Sequence, residues 1–147
     1  MTRDWRIRNA QSADWPQSEA LLVAENLPVS DIGPGFIEHF FVAESSTILG
    51  VIGLEVHGQE GLVRSLVTSP HARARGIGSA LYGRLELHAR ALGIVRLWLL
   101  TESADGFFAA QGFAGEQRTS VPAWLAETQQ FRELCPASAR VLSKALV

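Results

Sequence analysis

The chain of 147 residues contains one cysteine, one methionine and one tyrosine. The lone thiol, Cys135, excludes an internal disulfide and any zinc site built from several cysteines. Net charge is nearly absent as well: 13 Lys and Arg against 15 Asp and Glu leave a formal −2. Nothing therefore draws the whole molecule toward nucleic acid, and any basic patch must be local. No apolar run approaches the roughly 20 residues that a membrane helix needs, and the opening "MTRDWRIRN" lacks the apolar centre of a signal peptide. Repeats, low-complexity tracts and linkers are missing too. These absences imply one cytoplasmic globular domain over residues 1–147. The composition, 47% hydrophobic and 19% charged, suits a chain that buries a core.

The periodicities that are present describe alternating strands and helices. "WRIRN" alternates as a short strand, and Ser12 is placed to cap a helix through "WPQSEALLVAEN". Two prolines and two glycines make Leu27–Phe36 a loop, with room for a short helix after it. "FFVAES", "ILGVIGLEVHG" and "LVRSLVTS" read as three strands joined by tight turns. In "GIGSALYGRLELHARALG", Ile77, Leu81, Leu85, His88 and Leu92 recur at helical spacing, and Gly93 terminates the run. "IVRLWLL" is a strand buried on both faces. "SADGFFAAQGF" is a short helix ending at Gly112, "VPAWLAETQQFREL" a further helix with Pro122 in its first turn, and "ARVLSKAL" a last strand. The order argues for one twisted α/β sheet covered by helices.

Chemistry is densest in "SPHARARGIGSAL", Ser69–Leu81, where basic side chains and two glycines separate a strand from a helix. A helix start leaves about four backbone N–H groups without partners and carries roughly half a positive charge. Gly76 and Gly78 keep side chains from blocking those donors, and Arg73 and Arg75 add full charges. The anion so favoured is a phosphate or pyrophosphate. A Walker loop is excluded because Gly78 is followed by Ser79 and Ala80 instead of Lys and Ser/Thr. A Rossmann fingerprint is excluded because Leu81 stands where its third glycine belongs.

"RARGIG", Arg73–Gly78, resembles the Q/R-x-x-G-x-G/A signature of the GNAT acetyltransferase superfamily, with the strand before it and the helix after it. "FFAAQGF" resembles that family's F-[YF]-x-x-x-G-F segment. Residues 49–140 are further similar to small arsenic-resistance N-acetyltransferases, through "GLEVHG", "LVRSL", "LLTESADGFFAAQGF" and "VPAWLAETQQFRELCPASA". That group is similar in turn to amino-acid N-acetyltransferases such as N-acetylglutamate synthase. The resemblance implies a single GNAT-type α/β domain: a mixed, mostly antiparallel twisted sheet with a splayed strand pair and helices on both faces. It implies acetyl-CoA as co-substrate, no metal, and transfer of the acetyl group to a primary amine of an amino-acid-like acceptor. An arsenical or phosphinic analogue is within that class.

By the same resemblance Arg73, Ala74, Arg75, Gly76, Ile77, Gly78 and Ser79 grip the pyrophosphate. Backbone groups of Leu66, Val67 and Thr68 bind the pantetheine arm along a splayed strand edge, and Phe107 and Phe108 flank it or pack the core. The tyrosine that often protonates the leaving thiolate is replaced by Phe108, and Tyr82 lies in the phosphate-side helix, so water is left for that task. The attacking amine must lose a proton. Glu55, with His57 behind it on the same strand face, is the first candidate base, and Glu102 the second. Arg64 on the neighbouring strand pairs with Glu55, either as a structural cross-strand pair or as part of the site. Arg64 and Arg118 are the arginines placed to meet an acidic acceptor. Trp124 and Phe131 cover an acceptor pocket or form a satellite core. His88 and Cys135 read as packing residues, and the histidines show no metal-ligand spacing. Two rival roles are weighed against the enzyme. A non-catalytic acyl-CoA-binding sensor or partner-binding module remains open. Nucleic-acid binding through Arg73, Arg75 and Arg84 fails for want of an aromatic platform. A sheet edge or the last strand is available for a homodimer.

Overall fold

The computed structural model describes residues 4–35, 37–73, 75–134 and 138–146. Along these residues the order is β1 (Arg6–Asn9), α1 (Trp15–Ala24), β2 (Phe40–Glu44), β3 (Ile48–His57), β4 (Glu60–Thr68), α2 (Ile77–Ala91), β5 (Arg96–Thr101), α3 (Asp105–Ala110), β6 (Ala114–Glu116), α4 (Ala123–Ala126) and β7 (Arg140–Ala145). The strands form a seven-stranded sheet in the order β1-β2-β3-β4-β5-β7-β6. β4 runs parallel to β5, whereas β1–β2, β2–β3, β5–β7 and β6–β7 are antiparallel. This is the mixed, mostly antiparallel α/β sheet that the sequence implied. The chain divides into two compact units, Met1–Leu54 with Ser65–Ala89, and Glu55–Arg64 with Arg90–Val147.

In the first unit β2 is apolar on both sides, and its alternation sends Phe40 and Val42 one way and Phe41 and Ala43 the other. All four are buried. Phe40 and Val42 join Leu22 of α1 with Ile37, Ile48, Val51 and Val67 in one core. Phe41 instead meets α2: the His88 ring stands edge-on to it at 5.2 Å, and the Arg84 guanidinium lies 4.7 Å from its centroid. Within this unit α1 and α2 thus cover opposite faces. Phe40 pairs across the sheet with Gly53, and a Cβ at Gly53 would collide with the Phe40 ring. The glycine is what lets that ring lie flat over β3. At the N-terminal edge Arg8 donates to both oxygens of Asp14 at 2.8 Å and to both of Glu44 at 3.0 Å. The Arg8 hydrogen bonds hold the Asp14 carboxyl below its ordinary range.

Four local expectations change in the described residues. Ser12 does not cap α1; it opens a 3-10 turn, Ser12–Asp14. There the Asp14 carboxylate accepts from the Gln11 amide at 2.7 Å, so the longer-reaching acid takes the capping role. No helix follows Phe36, because residues 37–39 turn directly into β2. Leu92 is 45% exposed: α2 ends at Ala91, and Gly93 at φ +82° reverses the chain before the apolar stripe reaches that position. The helix expected after Pro122 is broken into α4 and a π-helical turn, Gln130–Leu134. Between them the Thr128 hydroxyl donates to the Leu125 carbonyl at 2.8 Å and accepts from the Phe131 amide at 3.2 Å. A side chain competing with the backbone in this way interrupts a helix. The strand β6, three residues around Gly115, is too short to leave a periodic signal.

In the second unit β5 pairs with β7 over six residues. Leu62, Trp98, Leu125 and Val141 form its core, and Leu100, Val121, Trp124 and Phe131 pack around them. Both aromatics of the post-Pro122 segment therefore belong to a satellite core. Among the described residues no helix is long and apolar enough to cross a membrane.

His88 has a partner that sequence could not reveal. Its Nε2 lies 2.9 Å from His39 Nδ1, a bond that needs one neutral acceptor nitrogen. Burial first, then His39 and Arg84, depress the proton affinity of His88 below the ordinary 6.5, and Glu38 opposes them. The unfolded chain therefore binds this proton more readily than the folded one. The stabilisation is complete above about pH 6.5 and is lost as pH falls through the depressed folded value. A thermal-melting series from pH 8 to 5 should show the midpoint falling below pH 6.5, with a shallower fall in His88→Asn. Identical slopes for the two proteins would contradict this account.

Candidate functional site

β4 hands over to α2 through a compact turn. The Ser69 amide donates to the Leu49 carbonyl at 2.7 Å, and a 3-10 turn over Pro70–Ala72 follows. Ser69 Oγ and His71 Nδ1 lie 2.9 Å apart within it. Gly76 then takes φ +78°, a left-handed conformation that costs a side-chain-bearing residue about 1 kcal/mol or more. This rotation starts the 15-residue α2 at Ile77. The Ala80 amide donates back to Gly76 at 3.1 Å, so the amides ahead of it, at Ile77 and Gly78, have no acceptor inside the helix. Arg73 is paired with Glu25, and Arg75 Nη1 lies 3.5 Å from Asp4 Oδ1. Both guanidinium groups are about half exposed, at 54% and 45%. Such pairs are worth less than about 1 kcal/mol and yield readily to a phosphate. Ala74 lies outside the described residues, as does Cys135.

The parallel pairing of β4 with β5 covers only Glu60–Leu62 against Arg96–Trp98. From Val63 onward no further β5 pairing is present among the described residues, whereas β5 stays paired with β7 to Thr101. Three residues beyond Leu62, Ser65 adopts φ +61°, a strained conformation for serine inside a strand. Leu66, Val67 and Thr68 follow directly. Sequence reasoning missed Ser65, because "VRSLV" carries none of the Gly, Asn or Asp residues that usually mark a left-handed position.

The second unit gathers Glu55, His57, Glu60, Arg64 and Trp124. The last residues of β3 leave the apolar core, and Glu55 and His57, two apart, share a face. Arg64 Nη1 donates to Glu55 Oε2 at 2.8 Å. The arginine side chain has no exposed surface, while Glu55 is 33% exposed. A guanidinium without solvent must keep its counter-charge, so Glu55 is held by one oxygen. The other, Oε1, lies 3.6 Å from His57 Nε2. The His57 ring is stacked on Trp124 with centroids 4.2 Å apart and planes 12° from parallel. Trp124 Nε1 donates to Glu60 at 2.7 Å, which anchors the indole. Sequence alternation anticipated Glu55, His57 and Arg64 as neighbours; it could not place Trp124, some 67 positions from His57, on the imidazole.

The remaining candidates make other contacts. Arg118 donates to the Ala139 carbonyl at 2.8 Å and lies 4.6 Å from the Phe131 centroid, so its charge tethers the segment before β7. Glu102 is exposed in the bend after β5. Phe108 is buried and packs edge-on against Phe107 and Phe113 at 5.0 and 5.4 Å. Tyr82 is buried in α2, where its hydroxyl donates to Glu86 at 2.7 Å. Among the described residues no group of three or more His, Cys, Asp or Glu side chains could hold a metal ion.

Comparison with known proteins agrees with this geometry. The acetyltransferase (GNAT) domain profile matches residues 37–114. An amino-acid acetyltransferase of Mycobacterium tuberculosis is 34% identical over 104 residues, covering 67% of this chain and 56% of the relative. N-acetylglutamate synthase from Neisseria gonorrhoeae, solved with coenzyme A and N-acetyl-glutamate, superposes with TM-score 0.84 at 23% identity. That match covers all of this chain and 36% of the synthase. A Mycobacterium tuberculosis protein solved with CoA and NLQ gives TM-score 0.82 at 23% identity, covering 97% of this chain and 99% of that one. The chain therefore spans little more than half of its mycobacterial sequence relative and about a third of the synthase.

Proposed function

Because the chain belongs to the GNAT acetyltransferase domain family, we propose that it transfers an acetyl group from acetyl-CoA to the primary amine of a small amino-acid-like acceptor. The observation that carries this reading is the junction at Arg73–Ser79, where a left-handed Gly76 opens a long helix directly after two exchangeable arginines. The diphosphate of the carrier lies on the first-turn amides of α2. Arg73 and Arg75 leave their carboxylates for it, and Ser79 closes the turn. Backbone groups of Leu66, Val67 and Thr68, where β4 has lost its β5 pairing, hold the pantetheine arm. A backbone N–H there polarises the thioester carbonyl.

In this scheme Glu55 takes a proton from the acceptor's ammonium. The free amine attacks the carbonyl carbon, the C–S bond breaks, and the thiolate of CoA takes a proton from water. Arg64 serves by fixing Glu55, since its own side chain reaches no solvent. Phe107 and Phe108 support the fold beside the arm. The acceptor class rests on the amino-acid acetyltransferase relative, and an arsenical or phosphinic amino-acid analogue is its finer form. The cytoplasm, where acetyl-CoA is abundant, is the matching location.

The test is a thiol-release assay with acetyl-CoA against a panel of L-amino acids, their arsenical and phosphinic analogues, peptides and polyamines, run beside calorimetry with CoA. Release is expected with members of the first two groups. Binding of CoA without release from any amine would favour a non-catalytic binding module, and no binding would overturn both readings.

A further inference from the structure

One polar atom in the second unit is placed in a way that Glu55 alone does not explain. His57 Nε2 is buried and has no hydrogen-bond partner, although the side chain as a whole is 30% exposed. Glu55 Oε1 lies 3.6 Å from Nε2, beyond the reach of a hydrogen bond. If the neutral ring carries its proton on Nδ1, two lone pairs face each other across that gap. If it carries the proton on Nε2, a buried donor is wasted, at a cost of about 1–3 kcal/mol. Only with the proton on Nδ1 does the contact lack a proton, and only then can Nε2 accept one. It would close by less than about 1 Å when Glu55 becomes a carboxylic acid and donates from Oε1, because an O–H···N or O–H···O bond shortens to about 2.7 Å.

The surroundings keep the ring in place for such an event. Trp124 stacks over it and is itself tied to Glu60. Arg64 occupies Glu55 Oε2, which leaves Oε1 as the oxygen that can accept a proton from elsewhere. Among the described residues, the imidazole thus meets Glu55 on β3 and uncharged Trp124 on α4, behind which stand Arg64 and Glu60 on β4. Solvent reaches the ring only away from Nε2.

We infer that His57 is the second station of a proton relay: a proton taken by Glu55 Oε1 from the acceptor's ammonium passes to His57 Nε2 and leaves through the exposed edge of the ring. Trp124 is a positioning residue that holds the ring in line. This inference rests on the reading of Glu55 given above. The balance is this: the ammonium loses one proton, Glu55 gains it and passes it to His57 Nε2, the ring releases its Nδ1 proton to solvent, and exchange with solvent restores the starting tautomer before the next turnover.

Two measurements test it. In the first, tryptophan emission is followed from pH 5 to 9 without any substrate. Imidazolium quenches a stacked indole, so wild type should show a His57-dependent step that is absent in His57→Gln and in Trp124→Phe. In Glu55→Gln that step should change. A step unchanged by Glu55→Gln would overturn the relay, as would no step at all. In the second, kcat is measured against pH with L-glutamate at saturating acetyl-CoA. His57→Gln should lose about tenfold at pH 7, less than the hundredfold or more of a direct acid–base residue, and recover toward pH 9 with an unchanged KM for acetyl-CoA. A loss constant across pH, or none, counts against the relay. If Glu55→Gln slows turnover and His57→Gln does not, only the relay fails. If Glu55→Gln has no effect, the assignment of the base itself fails. The emission experiment needs no acceptor and decides the proton coupling by itself.

Discussion

Glu55→Gln is expected to lower kcat at pH 7 by about a hundredfold or more, the usual contribution of a positioned proton acceptor, with a deficit that narrows as pH rises. The narrowing follows from the amine, since a larger fraction is already neutral at high pH and needs no base. The same change also touches stability. Arg64 is buried with Nη1 on the Glu55 carboxylate, and breaking a buried pair costs up to about 3–5 kcal/mol. Glutamine still offers an acceptor oxygen and Glu55 is a third exposed, so a loss of about 1–3 kcal/mol is expected instead. Assays well below the melting temperature therefore separate the two effects. Glu55→Asp, which keeps the charge but shortens the reach, should retain most of the stability and still lose turnover. A Glu55→Gln enzyme within threefold of wild type from pH 6 to 9 would remove this residue from proton transfer.

Replacing both loop arginines, Arg73→Ala with Arg75→Ala, is expected to raise the KM for acetyl-CoA by about a hundredfold or more while leaving the melting temperature nearly unchanged. Charge-assisted hydrogen bonds to phosphate are each worth about 1.5–3 kcal/mol, whereas the exposed pairs with Glu25 and Asp4 contribute little to folding. Acetyl-pantetheine, which keeps the thioester and lacks the diphosphate, is the control: its turnover should be the same in both proteins. Equal losses with the two donors would mean that the arginines act on the fold or on the acetyl end. The effect should also shrink at high salt, because the contacts are electrostatic and solvent-facing.

The contrast between these two variants reflects what each part of the chain could reveal in advance. The loop at Arg73–Ser79 was legible because its function depends on local covalent geometry. A left-handed turn requires Gly76, a helix start supplies amides, and both are encoded by consecutive residues. The strands were legible for a similar reason, since "FFVAE" and "RLWLLT" are apolar over lengths that suit a buried sheet. Glu55 was visible because a carboxylate in an apolar run needs a partner, and Arg64 is nine positions away on the next strand.

What lay outside the sequence depended on contacts with no local signature. Ser65 takes φ +61° where β4 has lost its β5 pairing; a serine in an apolar strand announces nothing. The stacking of Trp124 on His57, the His39–His88 bond and the tethering of Arg118 by Ala139 and Phe131 join positions between 13 and 67 residues apart, and such pairings follow from packing. Thr128 broke a helix that periodicity had drawn as continuous, because one hydroxyl found two backbone partners. The amino-acid order by itself determined the glycine-opened turn ahead of α2, the strand sequence and the carboxylate that must be paired, all properties of neighbouring residues. Only the tertiary structure decided which oxygen of Glu55 is left over and which imidazole waits beside it, because those depend on where distant side chains come to rest.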